Sequence, residues 1–152
     1  MMGEGDSPVG LYWDPETWGR ARAAYVSDLD RDPECPDAYI GWLHLAIEGH
    51  VERGHRARAE AGIEQPARRR SGQGLTRTYP LKDSLVERME DAIAADRRED
   101  GRFLGPSAFV HEAVTLAIDE AIARRGGVEL PPPPAKLTTR PRRRGAQGEV
   151  RP

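Results

Sequence analysis

Leu75-Thr76-Arg77-Thr78-Tyr79-Pro80-Leu81 reads as one short strand, and two amphipathic helices follow it before residue 126. A lone strand cannot satisfy its own backbone N–H and C=O groups, so it must pair. No second convincing strand is legible elsewhere, and residues 1–11 read as a flexible lead. The expected partner is therefore the same strand of a second copy, in an antiparallel two-stranded ribbon across a dimer axis. A ribbon of that width fits the major groove of duplex DNA.

Side chains alternate faces along a strand. Leu75, Arg77, Tyr79 and Leu81 share one face, and Thr76, Thr78 and Pro80 share the other. The first set is mainly apolar and is expected to face the core, with Arg77 bending its long stem toward a phosphate at the rim. The reverse parity, with Arg77 and Tyr79 outward, stays open at this level, because a one-residue slip exchanges the faces. Pro80 lacks a ladder donor and is expected to end the strand early. A first helix from about Lys82 buries Leu85, Val86, Met89, Ala92 and Ile93 and ends at Gly101. A second, from Pro106, carries a wide apolar stripe through Phe109, Val114, Ile118 and Ile122, as an interface helix does.

Strand, helix, turn and helix in this order resemble the ribbon-helix-helix DNA-binding proteins. The spacing from Leu81 to Leu85, Val86 and Met89 matches that family, and Leu104-Gly105-Pro106-Ser107 is similar to its second-helix start. The resemblance implies a homodimer whose ribbon reads bases through Thr76, Thr78 and Pro80, with Arg77 at its rim. It also implies a phosphate clamp at Gly105 and Ser107, where helix N-terminal donors favour an anion. Two features depart from the family pattern: the groove-facing side chains are short, and Asp100-Gly101-Arg102-Phe103 lengthens the turn.

Upstream, Asp14-Pro15-Glu16-Thr17 is a helix start, with Asp14 as cap and Pro15 in the first turn. Trp18, Ala21, Tyr25 and Leu29 form its apolar stripe, and Pro33 and Pro36 interrupt the pattern. A second helix from about Asp37 to Ala61 follows, with Tyr39, Ile40, Leu43, Ile47 and Val51 on one face. The two are expected to form a hairpin with facing aromatic stripes. The expected fold class is thus mainly α. It comprises an acidic helical hairpin (1–63), a basic linker (64–74), a ribbon-helix-helix dimer module with one strand and two helices per chain (75–126) and a Pro-rich, basic, disordered tail (127–152). No internal repeat is legible.

The formal net charge of −2 conceals an uneven layout. Residues 1–63 hold 6 basic and 12 acidic side chains, whereas residues 64–80 hold 4 and 1, and residues 126–152 hold 6 and 2. Positive segments thus flank the strand–helix–helix unit, as suits an anionic partner. Arg68, Arg69 and Arg70 read either as a solvated linker or as an arm along the DNA backbone, adding affinity without sequence information.

Single Cys35 excludes an internal disulfide and suits a reducing compartment. Neither a secretory leader nor an apolar run of membrane-spanning length is present, so a cytoplasmic location without membrane attachment is expected. The spacing of His44, His50 and His55 puts no metal-ligand set on one helix face, and they read as solvated or capping residues. No nucleophile motif or phosphate loop stands out, so neither catalysis nor a cofactor is expected. The layout, with an acidic helical part before the DNA module, is similar to the centromere-binding (ParB-type) proteins of actinobacterial plasmids, which implies a ParA-type ATPase as partner. A transcriptional repressor or antitoxin is the alternative, and a helical adaptor adding its strand to a partner's sheet is a third reading.

Overall fold

The structure, a computed structural model, describes residues 4–66 and 74–137. These form β1 (Asp6–Trp13), α1 (Pro15–Arg31), α2 (Tyr39–Ala61), β2 (Leu75–Lys82), α3 (Asp83–Asp100) and α4 (Pro106–Arg124). The fold is mixed: four helices and one small antiparallel sheet of two strands, among the described residues.

The strand expected from the sequence is present as β2, but its partner is β1 of the same chain. Residues 6–11, expected to belong to a flexible lead, are strand instead. The unpaired strand that called for a second copy does not exist. Leu11 and Trp13 alternate with Gly10 and Tyr12 and are 1% and 3% exposed, so β1 has the period of a half-buried strand. Pro80 does not end β2, which runs on to Lys82. The register explains why, since Pro8 lies directly opposite Pro80. At a non-hydrogen-bonded pair of an antiparallel ladder the N–H groups point away from the partner strand, so two facing prolines cost the ribbon nothing there.

The element order is strand, helix, helix, given twice, where no repeat was expected. The two halves correspond position by position. Trp42 and Phe109 each lie three residues after the start of their helix, and the pairs Leu43/Val110 and Ile47/Val114 keep step with them. All six are buried. In the first helices Ala21 corresponds to Met89 and Ala24 to Ala92, again all buried.

Packing crosses between the halves. Helix α1 lies mainly against α4, and α2 against α3, while α1 and α2 touch each other little. The first two helices therefore do not form a separate hairpin; one core runs from Leu11 and Tyr25 through Leu43 and Leu81 to Phe109 and Ala121. The aromatic contact expected between them is confined to their near ends, where Tyr25 meets Tyr39 edge-on at 5.6 Å.

Two ion pairs, one wholly buried and one with a buried carboxylate, tie the crossed helices. Asp96 in α3 receives Arg58 Nε at 3.0 Å, and both residues are almost fully enclosed. Asp28 in α1 receives Arg124 Nε and Nη2 at 2.9 and 2.8 Å, together with Trp42 Nε1 at 2.9 Å. Helix α2 breaks at Gly54, whose φ of 85° is left-handed. That break frees carbonyls one turn earlier, and Arg58 Nη1 donates to His50 O at 3.0 Å and Val51 O at 2.9 Å. One guanidinium thus repairs the helix and neutralises Asp96.

Beyond α4, Gly126 and Gly127 take left-handed conformations and end the helix as expected. Residues 128–137, the start of the expected disordered tail, run back along α1. Arg22 Nη2 donates to Pro134 O and Ala135 O, and Leu130 and Leu137 pack on the core. The arginines at 140 and 142–144 lie outside the described residues.

Candidate nucleic-acid interface

The ribbon has two unlike faces. Leu11, Trp13 and Leu81 turn toward the helices and are buried. On the other side Asp6, Pro8 and Gly10 of β1 and Thr76, Thr78, Pro80 and Lys82 of β2 are exposed. Register places these in facing pairs, with Asp6 opposite Lys82, Pro8 opposite Pro80, Gly10 opposite Thr78 and Tyr12 opposite Thr76. Short side chains keep this face low. At one end the Tyr12 ring lies so close to Gly74 that an added Cβ would fall 1.7 Å from the hydroxyl, so any other residue there would force the Tyr12 ring aside.

The strand parity is the one with Thr76, Thr78 and Pro80 outward. Tyr79 turns inward, edge-on to Trp13 at 6.1 Å. Burial raises the Tyr79 hydroxyl above its ordinary pKa. Arg77 shares the inward parity but lies at the exposed edge. Its guanidinium sits 5.5 Å from the Trp18 ring centre, and Arg22 sits 4.4 Å from the same ring. Two cations on one indole make this edge positive.

The helix starts also differ in kind. The first helix of each half is closed by a carboxylate: Asp14 accepts from Thr17 N at 3.1 Å, and Glu4 accepts from Ser84 N at 2.7 Å. That backbone bond holds the Glu4 carboxyl below its usual value. The second helices, which start after Ala38 and Gly105, have no side-chain cap. Gly41 N–H already bonds Ala38 O at 3.0 Å and Pro106 has no N–H, so the remaining first-turn donors and the partial positive charge are left for an anion or water.

A cleft lies beside each of these two starts. One, of about 300 Å³, is bounded by Trp13, Phe103, Gly105, Ser107 and His111. Its counterpart, of about 360 Å³, is bounded by Gly41, His44, Lys82, Ser84 and Arg88. The clefts thus occupy matching places at the two strand ends. Burial lowers the pKa of both His111 and His44, so these imidazoles favour the neutral form.

Of the residues singled out from sequence, Thr76, Thr78 and Pro80 come together on the outer face, and Arg77 flanks it. Gly105 precedes α4 at the cleft, as expected. The Ser107 hydroxyl accepts the Tyr12 N–H at 2.8 Å, which joins α4 to the ribbon. Arg68, Arg69 and Arg70 lie outside the described residues.

Sequence reading missed three kinds of residue. The β1 positions Pro8, Gly10 and Tyr12 were hidden in a segment rich in breakers. Asp28, Asp96 and Glu112, not singled out from the sequence, are buried. His50, expected to be solvated or capping, is enclosed: its Nε2 lies 3.0 Å from Glu112 Oε1, and its Nδ1 lies 2.7 Å from Arg53 Nη1. Because Arg53 only donates, Nδ1 is the acceptor and Nε2–H donates to Glu112. Arg102 also binds Glu112 and so steadies the turn leading to Gly105. A usable signal was the repeated pairing of an acidic residue late in one helix with an arginine late in another. Among the described residues no helix is long and apolar enough to cross a membrane. No family model, curated protein or solved structure matches the chain.

Proposed function

We propose that this chain binds duplex DNA with sequence preference, laying the outer face of the β1–β2 ribbon in the major groove. The observation that carries this reading is a two-stranded ribbon packed on one face and open on the other, with short side chains along the open face. Two uncapped helix starts flank it, suited to receive phosphates on either side of the groove. On this reading the fold is a ribbon-helix-helix pair whose two strands come from one chain. The protein acts as a binder with no catalytic role.

The biological setting proposed is a plasmid partition system, with the chain as centromere-binding component alongside a ParA-type ATPase in the cytoplasm; since the helices within residues 1–63 share the one core, that partner would dock on the surface of the whole domain. The alternative is a transcriptional repressor or antitoxin. A nuclease footprint of the full chain on DNA flanking its own gene separates these roles. Protection of an array of direct repeats supports partition, and one protected site over a promoter supports repression. Absence of protection, together with binding that does not weaken as salt rises, would overturn the DNA reading, since phosphate contacts make affinity fall with salt.

A further inference from the structure

We infer that the DNA target is a single directional sequence read by one chain, rather than an inverted repeat read by two. This rests on the DNA reading above and concerns the symmetry of its target. A ribbon made from two identical strands presents each side chain twice, and a two-fold protein imposes a two-fold site. Here the two strands differ at every outward position. The pair Gly10/Thr78 lies at the centre of the relation between the halves, so Pro8 is equivalent to Thr76 and Tyr12 to Pro80, with the two members of each equivalent pair at opposite ends of the ribbon.

The outward side chains are therefore unevenly arranged along the ribbon. Thr78 lies at the centre and Thr76 toward the Tyr12 end, whereas the facing prolines, and beyond them the charged Asp6/Lys82 pair, lie toward the other. A proline side chain offers only apolar contact, suited to a thymine methyl, whereas a threonine hydroxyl both donates and accepts. Charge follows the same polarity. Arg77 and Arg22 meet at Trp18 near the threonine end. At the proline end Asp6 faces Lys82, and Glu4 and Asp83 are engaged with Ser84 and Ser7. Phosphates are thus attracted more strongly at the threonine end. One chain presents a head and a tail to the duplex.

The test is selection of binding sites from a random duplex pool with the full-length chain, followed by the mass of the complex on the enriched duplex in sedimentation equilibrium. The expected result is a short motif without two-fold symmetry, carrying one chain. The double variant Thr76→Ala/Thr78→Ala, altered only at exposed positions, should bind the enriched duplex about tenfold or more weakly. Reselection with it should lose sequence information at the centre and one end of the motif while the other end is retained. Enrichment of an inverted repeat carrying two chains would overturn the inference while leaving the DNA reading intact. Failure to enrich any sequence, with no salt-dependent binding, would overturn the DNA reading itself.

Discussion

Asp28 and Asp96 hold the same place in the two halves of the chain. Each lies thirteen residues after the start of its helix, is buried, and binds an arginine from the second helix of the opposite half. The two clasps differ in solvation. Arg58 is 2% exposed at its side chain, whereas Arg124 is 36% exposed.

That difference sets an order of cost. Asp96→Ala would strand the Arg58 charge in the core and should destabilise by about 3–5 kcal/mol. Asp28→Ala leaves Arg124 able to reach water, though Trp42 loses its acceptor, and should cost about 1–3 kcal/mol. Urea denaturation of both variants checks the order; equal losses would mean that Arg58 gains water when Asp96 is removed.

Gly54 carries the break in α2, and nothing lies within 4 Å of where its Cβ would sit. Gly54→Ala meets no clash, so its cost is backbone strain alone, about 1–3 kcal/mol. If thermal melting instead shows stabilisation, α2 straightens through this point and Arg58 releases the two carbonyls.

Burial lowers the His50 pKa, with its bond to Glu112 opposing and Arg53 and Arg58 adding to the fall. In the unfolded chain this imidazole titrates at about 6.5. Its contribution is therefore fully present above that pH and is lost as pH falls toward and through the lower folded value. Unfolding midpoints in urea should decline between pH 7.5 and 5.5. In His50→Gln, whose amide retains a donor for Glu112, the decline should be shallower. It should not vanish, because His44 and His111 are lowered as well. An unchanged slope would place the titration elsewhere.

Leu81 is fully buried at the end of β2. Leu81→Asp puts an unpaired carboxylate among apolar side chains and should unfold the domain at neutral pH. Loss of the near-ultraviolet aromatic signal from the Trp13–Tyr79 contact is the direct readout, and a native spectrum would refute the packing.

Helix positions were legible because capping and periodicity are local. Asp14-Pro15, Gly101 and Gly126-Gly127 mark ends, and the stripes from Trp18 to Leu29 and from Leu85 to Ile93 follow the helical period. Strand β1 was not, since Pro8 and Gly10 argue against a strand locally and its partner begins more than sixty residues later. The repeat escaped notice because most equivalent core sites share only apolar character, as in Trp42 and Phe109, and the identities, such as Asp28 and Asp96, are few and scattered. On the candidate interface, the exposed threonines and their parity followed from alternation alone. Their neighbours from β1 depend on a long-range pairing that no local pattern encodes.

Because β1 and β2 belong to one covalent chain, their association carries no concentration term. A ribbon built from two separate chains obeys mass action and comes apart on dilution. Here the second strand is always present at an effective concentration fixed by the intervening chain, whatever the number of molecules in the cell. On the proposed DNA reading, the ribbon would be complete from the first copy synthesised, and occupancy of a target would rise in simple proportion to protein at low dose.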